Sequence, residues 1–429
     1  MINKTPRATA IETLDLTPEM TTHLQFLDGV RGLSALYVLV SHSLFQSAEG
    51  LIRSGQKVPP AFQEVLNYAP SGSDAVAVFL VLSGYCLMHP VIRSGSSRLP
   101  GGLLHFIHRR SLRILPPYYA ALALAIASIC FGAFFKHATG ITDGDKNAAV
   151  ALTTGNLISH VLLLHNWSKT WSAGVEPPMW SISVEWQIYF VFSMILLPLW
   201  RKVGILPCVL GAFVVGMAPH FLLPYFDNFD WMRPWMLGIF ALGMLGATIT
   251  FGTDAQSVAV RQKTPWAAIS ILLTLITYGV ISCFLRDGRC EILIHPLVGL
   301  IAMSTIVYCV QHLRSGQPSG VTSILTLFQS KFAIGIGDFS YSLYLIHGLV
   351  ITRVRVFTQK VHFHGPEYLI VSLFLDLTLS LLLAYGFHLI FERPFRQFKN
   401  FPVRVQDHPG RYSHDSTPSP MSAQVRFHR

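Results

Sequence analysis

Arg31 and His42 stand eleven positions apart in an otherwise apolar run that opens Phe26-Leu27-Asp28-Gly29-Val30-Arg31-Gly32 and closes Ser41-His42. At about 100° per residue, eleven steps bring the two side chains to within about 20° of one helix face, roughly 16 Å apart along the axis. A guanidinium fork suits a phosphate or carboxylate, and a neutral imidazole suits proton transfer near pH 7. The stripe therefore reads as an anion-holding point and a base, two stations on one channel. The competing readings are structural: Arg31 snorkelling to headgroups and His42 bonding a neighbouring helix.

Three further segments carry polar chemistry. Arg93, Arg98, His105, His108, Arg109, Arg110 and Arg113 form the most basic short stretch, suited to the phosphates of a cofactor or to anionic lipid. Ser181, Glu185 and Tyr189 recur at i, i+4 and i+8 behind Trp180, and a lone Glu185 in lipid requires a partner from another helix. Tying two helices together is the alternative use for that carboxylate. Ser340, Tyr344 and His347 share a face in Gly337-Asp338-Phe339-Ser340-Tyr341-Ser342-Leu343-Tyr344-Leu345-Ile346-His347, and Glu392 and Arg393 read as structural.

The elements that position these groups follow from composition. Of 429 residues 51% are hydrophobic and 13% charged, about half the usual charge of a soluble domain. Mean hydropathy is +0.46. Soluble enzymes, disordered chains and nucleic-acid binders are excluded, and the net charge of +10 reads as membrane topology. The expected fold is all-α and polytopic. Spans are expected near 28–47, 74–92, 114–135, 180–200, 204–223, 234–251, 265–285, 291–311, 339–357 and 367–391, each of roughly 20 apolar residues. With ten spans and both termini cytoplasmic, Lys and Arg concentrate on the inner side. If 151–165 also crossed, that bias would reverse, so 151–165 is expected to be re-entrant or interfacial.

A polar segment at 1–26, a membrane domain at 27–400 and a disordered cytoplasmic tail at 401–429 complete the expected organisation. The six cysteines read as core residues, with Cys283 and Cys290 the one pair near enough to consider. No metal site, P-loop, HExxH, GxSxG or dinucleotide fingerprint is found.

Six blocks in order carry a resemblance: FLDGVRGLSALYVLVSH (26–42), FLVLSGYCL (79–87), RRSLRILPPYYA (109–120), WSISVEWQIYF (180–190), IGDFSYSLYLIH (336–347) and FERPF (391–395). Together they resemble the acyltransferase 3 family of integral membrane acyltransferases. The resemblance implies ten spans and transfer of an acyl group, commonly acetyl, from cytoplasmic acyl-coenzyme A to an acceptor hydroxyl. The family's Arg-x10-His pair falls on Arg31 and His42, its RxxR on Arg110 and Arg113, and its Trp-Ser-x-x-x-Glu block on Trp180, Ser181 and Glu185. The esterase-like domain often attached in the family is not read here. The acceptor stays open between a saccharide, a lipid and a hydroxylated small metabolite.

Residues and resemblance together give a mechanism to test. Arg31, Arg109, Arg110 and Arg113 would hold acyl-coenzyme A, a co-substrate in an enzyme with no permanently bound cofactor. His42 would act as general base, with a covalent acyl-histidine as the lesser variant, and Glu185 would orient its ring. Ser181, Ser340, Tyr344 and His347 would line the acceptor side. The expected location is a multi-pass protein of the endoplasmic reticulum or another endomembrane in a eukaryote, or of the inner membrane in a bacterium. A proton-coupled transporter or permease of the same topology is the alternative, distinguished by turnover of radiolabelled acyl-coenzyme A.

Overall fold

The computed structural model describes residues 24–68, 71–95, 97–139, 148–223, 227–284, 291–315, 322–361, 363 and 365–397. Most of the expected 1–26 segment and all of the 401–429 tail lie outside the described residues, as do the side chains of Cys283 and Cys290. The described residues are helical and contain no strand. A helix satisfies its backbone within one segment, which is what hydrocarbon demands of these apolar runs.

The principal elements are α1 (Phe26–Arg53), α2 (Gly72–Arg93), α3 (Gly102–Thr139), α4 (Thr154–Val161), α5 (Trp180–Val191), α6 (Ile205–Leu222), α7 (Met236–Phe251), α8 (Trp266–Phe284), α9 (Glu291–Ser315), α10 (Ser340–Lys360) and α11 (Gly365–Phe387). The perimeter is apolar. On α6, Leu206, Leu210, Val214 and Phe221 form one stripe, each more than half exposed, and Ile370 and Phe374 do the same on α11. Such stripes are costly in water and neutral against lipid tails.

Among the described residues seven helices are long and apolar enough to cross a bilayer. Two further pairs qualify together but bend, by 67° before Trp266 and by 75° before Ser340, giving up to nine. The remaining segment of the expected ten is α1, which has 28 residues but buries a polar stripe that lowers its apolar character. Helix α4 has eight residues and a length of about 12 Å, too short to cross.

Small residues set the interior contacts. Helices α2 and α7 cross at Gly84 and Gly243, where a Cβ on either would come within 2.1 Å of a backbone carbonyl oxygen of the other helix. Only glycine permits that approach, which substitutes for the hydrophobic drive that is missing between helices in lipid. Helix α2 begins with a reciprocal cap. The Ser71 amide donates to Asp74 at 2.7 Å, and the Ser73 amide donates back to the Ser71 hydroxyl at 3.2 Å.

Wide π-helical turns interrupt two helices, at Phe192–Leu196 and His388–Glu392. The second places His388 Nδ1 2.9 Å from Glu392 Oε2, which also accepts from Ser342 at 2.6 Å. Arg396 lies 3.6 Å from the other oxygen of Glu392. This network joins α10 to the end of the last helix, the structural use read for Glu392.

Candidate active site

Helices α1 and α10 meet at the centre of the bundle. His42 Nδ1 lies 2.8 Å from His347 Nε2, and the rings are inclined by 14° with centroids 5.1 Å apart. His347 is buried, while half-buried His42 forms part of the wall of a cavity of about 580 Å³. Above it along α1, Gln46, Glu49 and Arg53 continue the stripe at i+4, i+7 and i+11, all lining that cavity. Glu49 Oε1 accepts from Arg53 at 2.5 Å, and Arg355 of α10 lies 3.7 Å from its Oε2.

The far wall of this cavity holds Arg233, in a left-handed conformation (φ 49°) just before Pro234. Its guanidinium stacks over Trp180 at 3.8 Å and donates to Glu291 Oε2 from Nε and Nη2, at 3.2 and 3.0 Å. Glu291 also accepts from Ser73 at 3.2 Å. His295 contacts Ser73 at 3.2 Å and accepts from the Trp235 indole at 3.1 Å. The first turn of α2 is thereby anchored to α9.

A second, smaller cavity of about 80 Å³ lies toward Arg31. Arg31, Arg113, Glu185, Ser181, Ser340 and Tyr344 all line it. Glu185 accepts from Ser83 at 2.7 Å and from the Tyr189 hydroxyl. Arg110 stacks over Tyr189 at 5.5 Å and over Phe106 at 5.9 Å. Arg31 pairs with Asp28 at 2.6 Å. A wall separates the two cavities: the Tyr344 hydroxyl donates to the Pro178 carbonyl at 3.0 Å and lies 2.6 Å from Ser181 Oγ.

The structure gathers Arg31, Arg113, Glu185, Ser181, Ser340 and Tyr344 at the smaller cavity and His42 at the larger, while Arg110 lines neither and stacks on Tyr189; four placements differ further from expectation. Glu185 does not reach His42. It faces Ser83 of α2 and Tyr189 of its own helix, and the partner at His42 Nδ1 is His347. Ser181, Ser340 and Tyr344 line the cavity on the Arg31 side, not the larger one. His347 lines neither, because it backs His42 from within the protein. Arg109 is exposed and lines neither cavity, since it points away from the face carrying Arg110 and Arg113.

Sequence reasoning left unassigned Gln46, Glu49 and Arg53, although their spacing from His42 was the available signal. Arg233, Glu291 and His295 had no local signal, because their partners are distant in sequence.

Helical spans that hold a histidine pair beside a large chamber, with a smaller basic cavity further along the same helix, are the architecture of a multi-pass membrane enzyme of the group-transfer kind. The chain belongs to the acyltransferase 3 family, whose model, described as an acyltransferase domain, matches residues 24–386. It is 25% identical over 358 residues to the acyltransferase MdmB of Streptomyces mycarofaciens, covering 78% of this chain and 80% of that one. It is 22% identical over 354 residues to the peptidoglycan O-acetyltransferase OatA of Listeria monocytogenes, covering 76% of this chain and 49% of that protein. The chain therefore spans about half the length of that second relative. No solved structure matches. The chain is an O-acyltransferase of the membrane, and the transporter reading gains no support.

Proposed function

We propose that the chain moves an acyl group, acetyl in the simplest case, from acyl-coenzyme A to a hydroxyl of a small metabolite or saccharide, with His42 as general base. The observation that carries this reading is His42 on the wall of the larger cavity, one helix stripe above Arg31 in the smaller one. Arg31, Arg110 and Arg113 are suited to hold the phosphates of the donor. Exposed Arg109 adds to the positive field at that mouth. The acyl-bearing arm would travel the roughly 16 Å from Arg31 to His42 along α1. The Tyr344–Ser181 wall stands on that route and would part to admit it.

The acceptor would enter the larger cavity. Its hydroxyl passes a proton to His42 as its oxygen attacks the thioester carbonyl carbon. A C–O bond forms, the C–S bond breaks, and the departing thiolate takes the proton from the imidazolium. His42 returns to its neutral form, and ester and free coenzyme A leave. Removing a positioned general base costs about 10²–10⁴ in rate.

The same reading places ten spans in a membrane domain at 27–400, both termini on the donor side, and no permanently bound cofactor. The membrane is an endomembrane in a eukaryote or the inner membrane in a bacterium.

The test uses membranes containing the full chain, radiolabelled acetyl-coenzyme A and acceptor extracts from cells lacking the gene. His42→Ala is expected to abolish label transfer while donor binding persists. Full transfer by that variant would reject the mechanism.

A further inference from the structure

The direction of the hydrogen bond between the two histidines is dictated by what lies behind them. We infer that His347 is a positioning residue that fixes the tautomer of His42, making Nε2 the basic nitrogen; this rests on the acyl-transfer reading of His42.

His347 Nδ1 lies 2.7 Å from the Tyr344 carbonyl oxygen and 3.2 Å from that of Leu343. Carbonyl oxygens only accept, so this nitrogen carries a hydrogen. A neutral imidazole has one N–H, which leaves His347 Nε2 bare. That bare nitrogen is 2.8 Å from His42 Nδ1, and one of the two must supply the proton. Only His42 can, so its Nδ1 is protonated and its Nε2 is a free lone pair. A doubly protonated His347 would be a cation at 1% exposure, hydrogen-bonded to a second imidazole and to the carbonyls of Tyr344 and Leu343.

The geometry at the other nitrogen agrees. A Cβ on Gly72 would lie 2.9 Å from His42 Nε2, so this nitrogen faces the first residue of α2, where no side chain covers it. The opposite tautomer would put a hydrogen where the acceptor's proton has to arrive. A neutral orienting ring differs from a carboxylate in a physical way. It sets direction without burying a full charge beside the base, so the pair needs no counter-ion while it waits. When His42 takes the acceptor proton on Nε2, its Nδ1–H stays bonded to His347.

The experiment reads the tautomer directly. Full-length protein with 15N-labelled histidine is placed in phosphatidylcholine nanodiscs, and His42 is assigned by comparison with His42→Gln. Its nitrogens are then classed as protonated or bare by 15N NMR at neutral pH. In parallel, carbethoxylation of His42 by diethyl pyrocarbonate is followed by peptide mass spectrometry. The wild type should show Nδ1 protonated and Nε2 bare. His347→Gln keeps an oxygen that accepts the same proton and should preserve both readings. His347→Phe keeps the ring but not the acceptor, and should lose the tautomer and slow carbethoxylation of His42 by about tenfold, the scale of one hydrogen bond. A wild-type spectrum with protonated Nε2 overturns the inference whether or not any variant folds, and so does an unchanged tautomer in His347→Phe. If the tautomer is as stated but His42→Ala transfers acyl groups at the wild-type rate, the acyl-transfer reading fails separately.

Discussion

Gly72→Ala separates catalytic geometry from stability more cleanly than deleting His42. The added methyl carbon would lie 2.9 Å from His42 Nε2 and 3.1 Å from its Cδ2. Optimal contacts between such atoms lie at about 3.5–4.0 Å, so the ring must retreat by about 0.5 Å. Retreat is resisted, because His347 stands 2.8 Å behind Nδ1. A displacement of about 1 Å at a reacting group can cost about 10²-fold, so half of that predicts about a tenfold fall in kcat. Stability should fall only modestly. At the first position of α2 alanine recovers less than the roughly 0.5–1 kcal/mol it gains within a helix, and crowding one ring edge sits at the low end of the about 1–3 kcal/mol of overpacking, so the net loss is about 1 kcal/mol. The assay is initial-rate transfer from radiolabelled acetyl-coenzyme A in nanodiscs, beside thermal unfolding followed by tryptophan fluorescence. Unchanged kcat, or a loss that tracks a lowered melting temperature, would refute the placement of Nε2 against α2.

Three other outcomes are expected. Glu185→Gln should leave the pH–rate profile in place, because Glu185 bonds Ser83 and Tyr189 and not His42; a displaced acid limb would restore direct coupling. Arg110→Ala with Arg113→Ala should raise the KM for the acyl donor while that for the acceptor holds, measured by varying each substrate in turn. His160 and His165 lie outside the spanning helices, are fully buried, and stack at 4.0 Å. Burial pushes them down to about 4 and about 3. Their folded-state values lie below the unfolded value of about 6.5, so the unfolded chain binds more protons on acidification. Stability should therefore fall as pH drops from about 6.5 toward 4, by several kcal/mol. His165→Phe should flatten that slope in a melting-temperature series, and an unaltered slope would count against it.

The legible part of the site was the part written at helical spacing. Arg31 and His42 lie eleven residues apart on a single helix, so periodicity alone aligned them, and Arg110 with Arg113 fell on one face for the same reason. Contacts between helices were not legible. His42 and His347 are separated by 305 positions, and either could have faced several neighbours with equal local propriety. Glu185 illustrates the limit. Its need for partners followed from its charge, but Ser83 and Tyr189 met that need instead of the histidine. The bend before Ser340 was likewise hidden: the expected span began at 339, and no local signal announced that Lys331–Asp338 is a helix meeting α10 at 75°.

The wall built from Tyr344, Ser181 and the Pro178 carbonyl also bears on energy conservation. A bilayer at 100 mV stores about 2.3 kcal/mol for every elementary charge that crosses it. A chamber of about 580 Å³ joined by water to a basic pocket on the opposite side would be a leak for protons and small ions. With donor and acceptor on opposite faces, as proposed above, the hydrogen-bonded Tyr344, Ser181 and Pro178 would stand across that path and limit such a leak.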